Sequence, residues 1–488
     1  MKFSFFLLIP LGCLAAIPND VAPVIDMARH VPAEFCADAL IRVASTDKVD
    51  KATRVQLLDE AFRCAAGAQR PFKRQPSITK VAGTAGILKH VYQQDLDTLS
   101  LRLRAVEAML ALDPVKARSL FLEIPPLQIP KVTCDDYLVY DVRLFYDVLG
   151  KLARQSFTAK EVADGAPTRL LATFLGGIHS ASQVEPAARM LAQTGSKNAD
   201  FQTLVTAFGG ALSQIYGDDR SFTDSISAVG EAMLALADDA AKRKLPPGGL
   251  IEGYRRYLVN NLAGQRCADD ALMDAGQTFE LSASSSADAL GTDAARLFNE
   301  KLARPPVLPL REEEVTPAKI EGAASGLRSC QDAECKQLTS EFRSLIFSAE
   351  GAPLSSAQRD SAEWRSRLQQ FLASMADWKE STGTADAEQF REKCALFNGL
   401  VGVAPAGPDR ERVFLAWLDY LEGNRVQQDD RIGWFLPVNA LIGRVALDPL
   451  GLGKLTDALR KSRDPVIALY IELERVAPRS PVQILALM

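Results

Sequence analysis

The sequence predicts an all-α fold: an irregular array of antiparallel helical hairpins, solenoid-like or divided into two helical bundles. Apolar residues recur at spacings of three and four along most of the chain. Runs that alternate apolar and polar residues between turns are nearly absent. Asp-Pro, Thr-Pro and Ser-Pro steps stand where helices would begin. There an Asp, Ser or Thr side chain accepts from the first free N–H groups, and proline at the first helical position forfeits no donor.

The elements follow in chain order. The opening, MKFSFFLLIPLGCLAA, has a positive start, a short apolar run and small residues. Residues 1–16 read as a secretory signal cleaved after Ala15 or Ala16, because the apolar part is too short to cross about 30 Å of hydrocarbon. A second reading is a lipid anchor at Cys13, where PLGC resembles a bacterial lipobox with Pro10 in place of the usual leucine. No later segment is suited to a transmembrane span. No N-x-S/T sequon occurs, which favours a bacterial exported protein over a eukaryotic secreted one.

In VQLLDEAFRCAA, Val55, Leu58, Phe62 and Ala65 share a helical face. Leu99, Leu103, Val106 and Leu110 do the same in the next run, which ends at Asp113-Pro114 and restarts as a second helix. PPLQIPKV, residues 125–132, is the best strand candidate, although its prolines exclude a central strand. From there YLVYDVRLFYDVLGKLA predicts a helix with Leu138, Val142, Phe145 and Leu149 aligned. KRKLPPGGL, around 242–250, separates two helices. Residues 266–326 differ in kind, first small and polar, then proline-rich and charged, and read as a connection between an N-terminal helical half, 17–265, and a C-terminal half, 327–478. In the latter, Trp364, Leu368, Phe371 or Leu372, and Met375 form one stripe. VALDPLGLGKLTDALRKSRDPVIALYIELERVAP repeats the grammar of helix, tight turn, helix, and residues 479–488 form a tail.

The ALDP…A…LF pieces resemble fragments of tetratricopeptide-type repeats, but the Trp-Leu-Gly-Tyr spacing and a fixed period near 34 residues are missing. ALDPVKARSLF, TCDDYLVYDV and LYIELERVAP resemble uncharacterised bacterial exported all-helical proteins. That resemblance implies a fold and a compartment, and no activity.

Export implies an oxidising compartment, so the seven cysteines beyond the signal are read as disulfide candidates. An odd count leaves at least one unpaired within the chain. Cys330 and Cys335 cannot bond within one regular helix, since five residues rise about 7.5 Å and rotate the side chains roughly 140° apart. They could pair only with Cys330 outside the helix and Cys335 in its first turn. The preferred expectation is a Cys267–Cys335 bond closing the connecting segment. Cys36 and Cys64 either face each other across a hairpin or sit as small buried thiols. One C-x₄-C without a second ligand pair does not make a zinc site, and the C-x-x-C of a redox pair is absent.

Little else points to catalysis. Net charge is −5 with no basic run, so nucleic acid is not expected as a partner. His30, His90 and His179 lie far apart, outside any H-E-x-x-H or G-x-S-x-G context. GLGKLT, 451–456, fails as a phosphate loop, with Asp448 in the place of the leading glycine and Leu455 in that of the Ser or Thr. Paired carboxylates remain: Asp135 and Asp136 with Asp141, Asp218 and Asp219, Asp269 and Asp270, Asp429 and Asp430. Two carboxylates can cleave a glycoside, and adjacent aspartates at helix starts can equally cap free N–H groups. With 4 tryptophans and 7% aromatic residues, the chain is poor in sugar-stacking faces. The expected function is an exported helical scaffold or binding protein for a protein, peptide or envelope component, without cofactor or metal. The alternative is an α/α-barrel-type polysaccharide hydrolase or lyase, with Asp135, Asp136, Asp218 and Asp219 as its candidates.

Overall fold

The computed structural model describes residues 17–77, 92–195, 197–262, 267, 301, 333–349, 351, 354–378, 386–405, 407–424, 431–447, 452–480 and 482–483. Residues 1–16 with Cys13, His90, Cys330, the Asp269-Asp270 and Asp429-Asp430 pairs, and residues 266–326 apart from Cys267 and Lys301 lie outside them.

The fold is all-α. Its helices are α1 (Ala22–Ala28), α2 (Ala33–Ala44), α3 (Lys51–Ala65), α4 (Thr98–Leu110), α5 (Pro114–Leu122), α6 (Arg143–Gln155), α7 (Ala159–Ala163), α8 (Ala166–Gly176), α9 (Val184–Gln193), α10 (Asn198–Leu212), α11 (Asp219–Lys242) and α12 (Gly248–Leu262). Later in the chain come α13 (Ala333–Ile346), α14 (Ser356–Arg359), α15 (Ala362–Asp377), α16 (Asp386–Val403), α17 (Pro408–Gly423), α18 (Arg431–Leu447), α19 (Leu452–Arg460) and α20 (Pro465–Val476).

The helix starts are built as the local chemistry dictates. Asp113 accepts from Lys116 N and Asp464 from Val466 N, each with proline at the first helical position. Asp50, Asp97 and Ser361 cap α3, α4 and α15 in the same way. The predicted stripes are the buried ones: Leu58, Phe62 and Ala65 in α3, Leu99, Leu103, Val106 and Leu110 in α4, and Trp364, Leu368, Phe371 and Met375 in α15. Removing each large side chain of this kind from water contributes roughly 1.5–3 kcal/mol.

Two local expectations are corrected. Residues 125–132 form no strand. The strands are β1 (Arg74–Pro76) and β2 (Leu138–Tyr140), antiparallel, with Arg74 opposite Tyr140, Gln75 opposite Val139 and Pro76 opposite Leu138. Helix α6 therefore starts at Arg143, five residues later than the apolar spacing suggests. A short apolar Leu-Val-Tyr run fits both periods, and the partner strand, some 64 residues away, decides between them. The ribbon is extended by Ser77 N donating to Tyr137 O and Asp141 N donating to Lys73 O (2.9 and 3.0 Å). A two-stranded ribbon is marginal alone. Here it rests on α11, where Ser77 Oγ donates to Asp224 at 2.6 Å.

Packing does not run simply in chain order. From α2 the stack proceeds through α3, α4 and α6 to α8 and α9, then to the α10–α12 group. In the other direction α20, the last long helix, packs on α1 and α2, and leads back through α18 and α19, α17, α16 and α15 to α13. The first and last of these helices, α1 and α20, thus meet in the middle of the stack.

The meeting point is a polar clasp set in aromatic packing. Phe35, Phe435 and Tyr470 pack with ring centroids 4.5–6.1 Å apart. Asp38 accepts from Arg104 Nη2 and from Tyr470 Oη, both at 2.7 Å. Arg42 donates to Glu474 Oε1 (2.9 Å) and Ala477 O (2.8 Å). Arg479 bridges Glu474 and Asn439, and Asn439 donates to Gln94 at 2.6 Å. Burial alone would raise the Asp38 carboxyl, but Arg104, Arg42 and the Tyr470 hydroxyl outweigh it and hold it below the usual carboxylate range.

Candidate functional site

A cleft of about 220 Å³ opens where the β1–β2 ribbon meets α4 and α6. Its apolar floor includes Leu99 and Leu103 from α4 and Phe145 from α6. Its charged wall is Lys73, Asp95, Asp141, Arg143 and Asp147. Strand pairing sets one side: because Asp141 N bonds Lys73 O, the two residues sit side by side at the end of the ribbon. Asp95 reaches Lys73 Nζ at 2.5 Å from a left-handed backbone (φ 52°), a conformation aspartate tolerates better than most residues. Arg143 binds Asp141 through Nε (3.0 Å) and Nη2 (2.6 Å), and Nη2 also reaches Gln75 Oε1. Burial pushes the Asp141 carboxyl up, yet the Arg143 hydrogen bonds and charge hold it below its ordinary value. Both cations of the wall are thereby committed to carboxylates. Asp147, exposed one turn along α6, makes no hydrogen bond or ion pair with the described residues.

Behind the wall lies Asp97, the cap of α4, which accepts from Ser100 N at 2.9 Å. Burial pushes its carboxyl up to about 6; the Ser100 bonds and Lys73 act downward, and the Asp95 charge upward. The sign of its linkage follows. A carboxyl whose folded pKa is raised from 3.8 to about 6 favours the fold when protonated, and that contribution is lost as pH rises through about 6. At neutral pH the charge costs about 3 kcal/mol at 1.36 kcal/mol per unit. Asparagine caps equally well without the charge. Asp97→Asn is therefore expected to raise urea stability by about 2 kcal/mol at pH 7.5 and by little at pH 4.5. An equal loss at both pH values would show that the charge is not the strained element.

The sequence candidates gather at a different corner. Residues 132–136 are stitched to the start of α11. Asp218 Oδ1 accepts from Val132 N (3.0 Å), its Oδ2 accepts from Ser180 Oγ (2.5 Å) and Ala181 N (3.2 Å), and Arg220 donates to Cys134 O. Asp218 stands at the cap position of α11, but its side chain does not cap that helix; it ties two neighbouring loops to it. Asp136 accepts from Thr133 N (2.7 Å) and Thr133 Oγ1 (3.2 Å), closing its own turn. Asp135 is exposed beside it. Asp219 is half-buried, and its carboxyl is raised by burial and by Asp218, against a downward pull from Lys131. Asp135, Asp136, Asp218 and Asp219 thus share one corner, with Asp218 fully engaged in holding it.

The same corner corrects the disulfide expectation. Cys267 bonds Cys134, with Cα atoms 5.0 Å apart, and not Cys335. Helix α12 returns along α11, so that Asn260 and Asn261 bond the carbonyls of Ser213 and Ile215 just ahead of α11. The residues after α12 consequently arrive where Cys134 is anchored. Cys36 and Cys64 bond across the α2–α3 hairpin, with Cα atoms 6.2 Å apart. Cys394 is buried as a free thiol.

Among the described residues, no group of three His, Cys, Asp or Glu side chains is placed to hold a metal ion. His179 bridges Ile129 N and Gly177 O, and His30 bonds Asp26 O. Trp434 and Phe435 are buried, and Trp434 Nε1 donates to Leu421 O at 3.1 Å. Asp141 was visible beside Asp135 and Asp136, but Lys73, Asp95, Asp97, Arg143 and Asp147 carry no motif. The one usable signal was the Asp-Leu-Asp-Thr at residues 95–98, a helix start with one aspartate more than a cap needs. Set against protein-family models, curated proteins and solved structures, the chain matches none of them.

Proposed function

We propose that this is an exported helical binding protein of the bacterial envelope, receiving part of a protein, peptide or envelope component in the cleft between the ribbon, α4 and α6. The carrying observation is the cleft itself, an apolar floor beneath a wall of oriented charges, assembled from three elements. Pockets for whole small molecules usually exceed 300 Å³; one of about 220 Å³ suits a single side chain or a small group of a larger partner. Two disulfides fit an oxidising compartment, and no described helix is long and apolar enough to cross a membrane.

One observation weighs against the hydrolase alternative. The Asp218 carboxylate is fully buried and accepts three hydrogen bonds, which leaves it poorly placed to exchange a proton with a sugar. A thermal-shift screen against peptides, amino acids and cell-wall oligosaccharides tests the reading. At least one class should raise the melting temperature of the wild type and fail to do so with Leu144→Trp, which fills the cleft from its half-buried rim. Release of reducing ends from a polysaccharide, lost in Asp218→Asn or Asp219→Asn, would instead favour the enzyme.

A further inference from the structure

We infer that the cleft is selective for a cationic side chain, the lysine or arginine of a peptide or protein partner; this rests on the binding reading above. The wall holds two cations, Lys73 and Arg143, against three carboxylates, Asp95, Asp141 and Asp147. Lys73 is paired with Asp95 at 2.5 Å and Arg143 with Asp141 at 2.6 Å. An anionic ligand would have to break one of these pairs to gain a partner. A cation need break none, because Asp147 stands at the rim bonded to none of the described residues, with Arg143 acting on it only as a nearby charge.

The floor agrees with that polarity. Leu99, Leu103 and Phe145 offer apolar surface below the carboxylate. Lysine and arginine combine a methylene stem with a charged head, so the stem can lie on the floor while the head meets Asp147 and stays partly in water. A compact inorganic cation would leave the floor unused.

Titration calorimetry on the full chain tests this with four acetylated, amidated glycine pentapeptides whose central residue is arginine, lysine, norleucine or glutamate. The expected order is arginine and lysine above norleucine, with glutamate weakest. Asp147→Asn should weaken the arginine peptide about fivefold, as loss of one partly exposed ion pair predicts, and leave norleucine unchanged. Asp147 is exposed, so this variant should keep the wild-type melting curve. Raising salt should narrow the gap between arginine and norleucine. Equal binding of norleucine or glutamate, lost in Leu144→Trp, would overturn the cation assignment while leaving a binding cleft in place. Arginine binding that neither variant alters, or no binding of either cationic peptide, would overturn the assignment too. The screen against other ligand classes then decides the broader reading by itself.

Discussion

Asp38→Ala is expected to cost about 3 kcal/mol of unfolding free energy at pH 7, the larger part through the charge it abandons. Asp38 is the common acceptor for Arg104 from α4 and Tyr470 from α20, with Arg42 beside it. Removing one member of a buried ion pair leaves the other desolvated and uncompensated, typically at 3–5 kcal/mol. Arg104 keeps about a quarter of its side chain in water, which places the effect at the lower end. The Tyr470 hydroxyl would lose its acceptor as well. Replacing both partners by apolar residues, Asp38→Leu with Arg104→Met, should recover most of the loss, because no orphan charge remains.

The pH dependence of that pair carries a definite sign. The Asp38 carboxyl is lowered in the fold, so its contribution is present above the ordinary pKa of 3.8 and disappears as pH falls through the lowered value. Urea titrations at pH 7 and pH 3 should therefore show Asp38→Ala and wild type converging in acid. A constant gap between them would mean that lost packing, not lost charge, accounts for the effect. Asp97 titrates with the opposite sign and in a higher window. Between pH 4 and pH 6 the wild type should thus lose stability from Asp97 while the Asp38 pair remains intact.

The second large effect concerns two adjacent glycines of opposite sign. Gly209 on α10 and Gly253 on α12 meet backbone to backbone. A Cβ on Gly253 would enter the Gly209 carbonyl, and a Cβ on Gly209 would enter that of Gly249. The obstructing atoms are main chain, so no rotamer relieves the clash and the helices must separate. Gly253→Ala and Gly209→Ala are each expected to cost about 3 kcal/mol, the upper end for overpacking. Gly210 lies exposed with nothing within 4 Å of its Cβ position. Gly210→Ala should stabilise by roughly 0.5–1 kcal/mol through helix propensity and a less disordered unfolded chain. Thermal melts of the three variants compare these directly. Stabilisation by all three would show that the two helices do not cross at this point.

Most of the helices and several of their starts were legible in the residues. Asp113-Pro114 and Asp464-Pro465 satisfy their own N–H groups within four residues, and the stripe from Trp364 to Met375 needs only its own helical period to be recognised. The cleft was not legible in this way. Lys73, Asp95, Asp141 and Asp147 are unremarkable charges up to 74 residues apart, and become one wall only because β1 finds β2. The same holds for Asp218, which reads as a cap and acts as a tie, and for Cys267, whose partner depends on the return path of α12.

By itself, then, the chain determined its helical class, many helix boundaries and the buried face of each helix, since those depend on side chains within a few positions of one another. The tertiary structure alone decided which helix meets which, that α20 closes onto α1 and α2, how the cysteines pair and where charges converge. Those outcomes depend on contacts between residues far apart in sequence, whose loop-closure entropy is offset only when many such contacts form together.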